Sequence, residues 1–429
     1  MTTPASDSPP GAVAATRLLR EGKLTVQALV EGCLARIEAR DPSLHAFTAV
    51  DPEAALRHAA EADRKGPSGP LWGLPFAVKD VLDTADLPSA YGSPIWQGHR
   101  PRADAAAVAA ARGAGGILLG KTVTTEFATR HPGPTVNPIN PLHTPGGSSS
   151  GSAAAVAAGL VPFAFGTQTA GSIIRPASFC GITGYKPSFG WLHRAGMKVM
   201  SESLDTIGVL ARSVEDCALF VSALTGRDLE DDGALGARPP RLAVLAHPPG
   251  AKVAPDALEV FGATVEALGR AGAILDSIAL PEICIRANEV HSIVMNMEVR
   301  QALTWELTTA RDSLSPVLRE NTDVAGTHPP SRLDAGRQVF AEARAAFAAL
   351  LQGFDGLLTL SAPGEAPEGL GWTGDPSCNA LWTALHGPCV TVPAGTGVKG
   401  LPIGVQVVAP VGQDRRALAC ADWVRRNLA

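Results

Sequence analysis

Residues 145–190 constrain this chain more than any other stretch, and they read PGGSSSGSAAAVAAGLVPFAFGTQTAGSIIRPASFCGITGYKPSFG. Taken alone, GGSSSGS has the composition of a flexible linker. The residues after it argue against a linker. An Ala/Val run at helical spacing begins at once, and an apolar strand, 161–165, comes next. A second Gly-rich turn, 166–172, leads into a short apolar turn of helix from Ser172 to Phe179. Glycine-rich turns set between core elements bring backbone close to whatever they face.

A serine that opens a helix sits beside backbone N–H groups with no intrahelical partner. In a turn of small residues, here Thr169, Ala170 and Gly171, those groups can converge on one point, as a tetrahedral oxyanion requires. Ser172 is therefore a candidate nucleophile, with the N–H groups of residues 169–172 as oxyanion donors. An ordinary N-cap serine is the competing reading. A serine hydroxyl also needs a base. Upstream, LPFAVKD (74–80) is an apolar, strand-like run with Lys79 at its end. Burial disfavours a charged amine, and bringing a lysine from ~10.4 to ~8 takes about 3 kcal/mol of desolvation. A surface lysine paired with Asp80 is the alternative.

GGSSSGSAAA, GTQTAGSIIRP and CGITGYKPSFG occur in this order, with weaker stretches at GLPFAVKD (73–80), GAGGILLGKT (113–122) and LPIGVQVV (401–408). In these motifs, over nearly its whole length, the chain resembles the amidase signature family, amide hydrolases with a Ser–cis-Ser–Lys triad. The resemblance implies Lys79 as base, Ser148 as bridging serine, Ser172 as nucleophile, and a cis peptide between Gly147 and Ser148. The sequence departs from the family pattern at three positions: Ser150 where Gly is commoner, Gln168 where Asp is common, and Ile174 where Arg is usual, with Arg175 next. That variant is similar to malonamidase-like members, which act on small amides bearing a carboxylate. Arg175 is then a candidate bidentate carboxylate clamp, or else one half of a structural ion pair.

Other patterns compete for function. Residues 115–122 match G-x-x-x-x-G-K-[ST], but a phosphate loop follows a strand and opens a helix, and here a helix precedes and the match contains the strand. Residues 147–151 match the G-x-S-x-G elbow, with His386 and Asp375 in the right chain order, yet a Pro-rich loop stands where a strand is required. Cys180 lies in an apolar setting that suits a core thiol, and His131 and His143 lack metal-ligand spacing and are expected at the pocket rim. Three alternatives stand beside the amidase: the ammonia-releasing A-type subunit of a tRNA-dependent amidotransferase, a nucleotide-binding protein using Lys121, and a catalytically dead binding protein.

The chain has 429 residues, with Lys+Arg 36 against Asp+Glu 41, a poor balance for a phosphate-backbone binder. Seven scattered cysteines with no C-x-x-C pair suit a reducing cytoplasm, and no apolar run is long enough to span a membrane. The expected architecture is α/β, a large mixed β-sheet covered by helices on both faces. Residues 1–10 read as a disordered tail, and 11–429 as one domain with a more helical excursion around 285–350. Helix caps are expected at Thr25, Asp104 and Ser213. The expected partner is a small-molecule amide; no cofactor, metal, nucleic acid or membrane is expected, and a homodimer is the assembly to test.

Overall fold

A computed structural model describes residues 9–230, 234–236 and 238–428. Among them the apolar runs form eleven strands: β1 (Phe47–Val50), β2 (Pro75–Lys79), β3 (Ile117–Thr122), β4 (Phe163–Gln168), β5 (Thr183–Lys186), β6 (Thr206–Ala211), β7 (Arg241–Leu245), β8 (Ile274–Ser277), β9 (Gly356–Leu360), β10 (Cys389–Thr396) and β11 (Pro402–Val408). They join into one mixed sheet ordered β1-β3-β2-β4-β6-β5-β10-β11-β9-β7-β8. The expected large mixed sheet with helices is the observed fold. β2, β3, β4, β6 and β11 are buried along their whole length, as unbroken apolar strands require.

Two parallel crossovers follow the strand–helix–strand grammar of the sequence. β2 and β3 pair in parallel, with helix Ala106–Gly113 between them in the chain. β7 and β8 do the same around helix Pro255–Arg270. Helix Ser150–Ala157 consists only of small residues and Val156, and it packs on β2, β3, β4 and β6. Its residues must be small: a Cβ on Gly151 would stand 2.2 Å from the Ala46 carbonyl oxygen.

Thr25 and Ser213 cap their helices, accepting from Ala28 N and Asp216 N. Asp104 does not. The helix begins at Ala106, and the Asp104 carboxylate instead accepts from Ala85 N at 2.8 Å and pairs with Arg112 Nε at 3.0 Å. β4 runs on through Gly166–Gln168, where the sequence suggested a turn, because those residues continue the antiparallel ladder with β6. The turn is therefore 169–173, and the short helix is Ile174–Phe179. Residues 285–350 are largely helical, in helices Glu282–Ala302, Thr304–Thr309, Pro316–Gly326 and Pro330–Leu350. Of the stretch read as a tail, residues 1–8 lie outside the described residues, while the Pro9 and Pro10 carbonyls accept from Arg212 Nη2. No described helix is long and apolar enough to cross a membrane.

Candidate active site

Lys79 is the last residue of β2, which lies between β3 and β4. Its side chain has no exposed surface. Nζ donates to Ser148 Oγ at 2.7 Å and to Thr167 Oγ1, on β4, at 2.8 Å. Burial lowers the amine from its ordinary value to about 7, with Asp205 pulling it up and Arg175 pushing it down. Ser148 follows a cis peptide bond from Gly147 and is itself buried. Ser149 next to it is tied to β4: its Oγ donates to Thr167 O at 3.3 Å and accepts from Thr167 N at 3.2 Å. Ser150, where the family more often has glycine, takes the first turn of its helix and reaches only a long bond to Val123 O, at 3.4 Å.

Ser172 stands in the turn after β4 rather than at a helix N-cap. No backbone carbonyl among the described residues accepts from the N–H groups of Thr169, Ala170, Gly171 or Ser172. The rest of the turn is pinned. Gln168 Oε1 accepts from Ile173 N at 3.0 Å and from Ile174 N at 3.1 Å, and its Nε2 donates to Thr383 Oγ1 at 3.0 Å. Thr383 spends its own proton on the Ala170 carbonyl at 2.7 Å. It can therefore only accept from position 168, and an amide there serves both needs where a carboxylate would face acceptor with acceptor. Gly171 is crowded by Asn379, whose Nδ2 would stand 3.0 Å from an added Cβ.

Ser172, Thr169, Ala170 and Arg175 line a cavity of about 320 Å³. Its walls come from residues 128–130, from 288–299 and 318–321 of the helical excursion, and from 372–380. Arg175 is buried; its Nη2 donates to Gly147 O at 2.6 Å and to Thr373 Oγ1 at 3.3 Å, while its Nε and Nη1 are buried with no partner. Burial lowers the guanidinium to about 10, opposed by Asp375. The structure thus brings Lys79 and Ser148 together and gathers Ser172, Thr169, Ala170 and Arg175 on one cavity.

Three neighbours of the site, Thr167, Asp205 and His291, escaped the sequence reading, and Gln168 stood there only as a departure from the family pattern. Thr167 is the second ligand of the Lys79 amine. Gln168 pins the turn. Asp205, buried, accepts from Thr169 Oγ1 at 2.5 Å. His291 lines the cavity. A signal existed for His291, since it falls on the buried stripe Cys284, Ala287, His291, Val294 of its helix.

The competing patterns sit elsewhere. Gly115 and Gly116 precede β3, Lys121 lies within the strand, and its Nζ pairs with Asp80 Oδ1 at 2.9 Å and donates to Ser89 Oγ at 2.5 Å. That ammonium faces a carboxylate, and it is Lys121, not Lys79, that takes Asp80. His386 Nε2 bonds the Ser203 carbonyl at 2.7 Å, and its ring stacks on Phe189, while Asp375 caps Ser377 N at 2.9 Å. The two do not form a relay to Ser149. Cys180 is a buried thiol held high by desolvation. His143 is bound to the Ala366 carbonyl at 2.7 Å, and neither it nor His131 belongs to the cavity lining, contrary to the rim expected for them. Among the described residues no group of His, Cys, Asp or Glu could hold a metal ion.

The Amidase family model matches residues 28–418. The A-type subunit of the glutamyl-tRNA(Gln) amidotransferase from Ralstonia nicotianae is 35% identical over 468 residues, 92% of this chain and 94% of that protein. Native peptide amidase from Stenotrophomonas maltophilia superposes with a TM-score of 0.83 at 27% identity, covering 99% of this chain and 98% of the other. A chain from a vestigial protein complex tied to the origins of an s-triazine catabolic enzyme gives a TM-score of 0.88 at 28% identity, covering 97% and 98%. The motifs, the eleven-stranded sheet and these likenesses agree, and the chain belongs to the amidase signature family of C–N hydrolases.

Proposed function

We propose that this protein is a serine amidase that splits a small amide bearing a carboxylate into an acid and ammonia or an amine. The observation that carries the reading is a desolvated amine, Lys79 Nζ, 2.7 Å from a buried serine hydroxyl, Ser148 Oγ. With its value lowered to about 7, a large share of Lys79 is neutral at neutral pH and holds a lone pair for a proton.

Neutral Lys79 takes the Ser148 proton as Ser148 oxygen takes that of Ser172, and Ser172 Oγ forms a bond to the amide carbon. The carbonyl oxygen becomes an oxyanion, held by the unclaimed N–H groups of the 169–172 turn. The proton on Lys79 returns through Ser148 to the amide nitrogen, the C–N bond breaks, and the amine leaves. Water then attacks the acyl-enzyme, giving its proton to the same relay, and Ser172 departs with a proton restored. The two unpartnered nitrogens of Arg175, Nε and Nη1, on a residue that lines the cavity, support a carboxylate on the substrate, since a guanidinium with unpaired donors matches that anion.

The test is ammonia release from a panel of acidic, neutral and aromatic small amides, with Ser172→Ala beside the wild type. Loss of all hydrolysis in a folded Ser172→Ala variant is expected; a variant that keeps most of the rate overturns the assignment. The amidotransferase relative favours a second reading, an ammonia-releasing A-type subunit. Glutaminase activity that appears only with added partner chains selects it; turnover of small amides by the lone chain rejects it.

A further inference from the structure

His291 reaches the candidate active site from helix Glu282–Ala302, outside every motif that marks the site in the sequence. Its Nε2 lies 3.0 Å from the Thr169 carbonyl oxygen. A carbonyl has no proton to give, so the ring proton is assigned to Nε2. Burial lowers the imidazole to about 4, which keeps it neutral, and a neutral ring protonated at Nε2 has a bare acceptor at Nδ1. No donor among the described residues pairs with Nδ1, and His291 lines the cavity that it shares with Ser172.

The bond to Thr169 has a consequence for the turn. A peptide unit is planar and trans, so a carbonyl and the following N–H point in opposite directions. Fixing the Thr169 carbonyl fixes the direction of the Ala170 N–H; the Thr383 bond to the Ala170 carbonyl does the same for Gly171. Asp205 holds Thr169 a second time, by its hydroxyl.

Resting on the amidase reading above, we infer that His291 has two roles in the reaction: through Nε2 it is a positioning residue that aims the Ala170 N–H at the developing oxyanion, and through Nδ1 it is a specificity residue that accepts an N–H of the substrate. The site then favours amides that keep an N–H at the scissile nitrogen over isosteric esters. Serine acylation is common to both, so an ester with the same acyl group reads the first role alone, and the amide reads both.

The experiment compares wild type, His291→Phe, His291→Gln and Ser172→Ala on a primary amide and on the methyl ester of the same acid. His291→Phe should lower kcat about 100- to 1000-fold on both substrates, the range for loss of an oxyanion donor, and should raise KM on the amide alone. His291→Gln, which keeps a donor for the Thr169 carbonyl, should recover most of kcat, separating the positioning role from misfolding. Wild-type kcat in His291→Phe, or an amide-to-ester KM ratio that does not change, overturns the inference provided Ser172→Ala is inactive. Hydrolysis by Ser172→Ala overturns the amidase reading instead.

Discussion

The Lys79 amine lies 2.7 Å from the Ser148 hydroxyl oxygen, and neither residue is accessible to bulk solvent to any useful extent. Lowering a lysine from 10.5 to about 7 corresponds to about 5 kcal/mol of lost preference for the ammonium. This is a cost to the fold. Between those two pH values the unfolded chain binds the proton and the folded chain does not, so this group makes stability rise with pH across that window. Lys79→Met should therefore be inactive yet at least as resistant to urea as the wild type at pH 7, with a flatter rise between pH 7 and 10. Ser148→Ala should lose a factor of ~100 or more in kcat without that gain. Unfolding midpoints and ammonia release measured on the same samples check both; an active Lys79→Met counts against the relay.

The same amine sets a pH dependence for the rate. The neutral form is the base, so kcat/KM should climb about tenfold per pH unit below an apparent value near 7 and level above it. Arg175 pushes the amine down and Asp205 pulls it up. Removing the positive charge in Arg175→Met should move the limb to higher pH, and Asp205→Asn should move it lower. Profiles on a neutral amide, which does not depend on the clamp, are the measurement. A limb that stays still in both variants places the titrating group elsewhere.

Arg175 lines the cavity with some of its donors engaged by the protein and others left without a partner. Nη2 holds the Gly147 carbonyl, next to Ser148, so its loss should slow every substrate. Nε and Nη1 are buried and unpaired, so only a carboxylate-bearing substrate should lose their contribution as well. Hydrogen bonds to a charged group contribute about 1.5–3 kcal/mol, which makes the extra loss on acidic amides in Arg175→Ala about 10- to 100-fold beyond the neutral ones. Steady-state kcat/KM on matched acidic and neutral amides gives the ratio, and equal losses remove the clamp.

The motif-bearing residues were legible because their local chemistry and their position in the chain coincide. Lys79 ends an apolar strand, and the small-residue helix after Ser149 can only be a buried one. Thr167 and Gln168 were hidden by the glycine before them, which reads as a turn although the ladder to β6 holds Gly166 extended. Asp104 looked like a cap because nothing in the sequence reveals Arg112 and Ala85 N as stronger claimants for its carboxylate. Asp205 and His291 act at the site through contacts that span 36 and 122 positions of chain, a separation that no local pattern encodes.

Lys121 offers the sharpest separation between a motif and its role. In a phosphate loop this lysine faces solvent and an anion; here it is buried against Asp80, whose other oxygen accepts from Ala90 N. Burial alone pushes the Asp80 carboxyl up and the Lys121 amine down, and each group's charge opposes the shift in the other. Breaking such a pair from one side strands a charge and costs about 3–5 kcal/mol, whereas removing both sides costs far less. Lys121→Met should therefore show a large drop in unfolding midpoint that Asp80→Asn in the same chain largely restores, and ATP should bind neither wild type nor variant. Unfolding midpoints of the single and double variants are the measurement, and a single variant with wild-type stability would show that the pair does not hold the strand ends together.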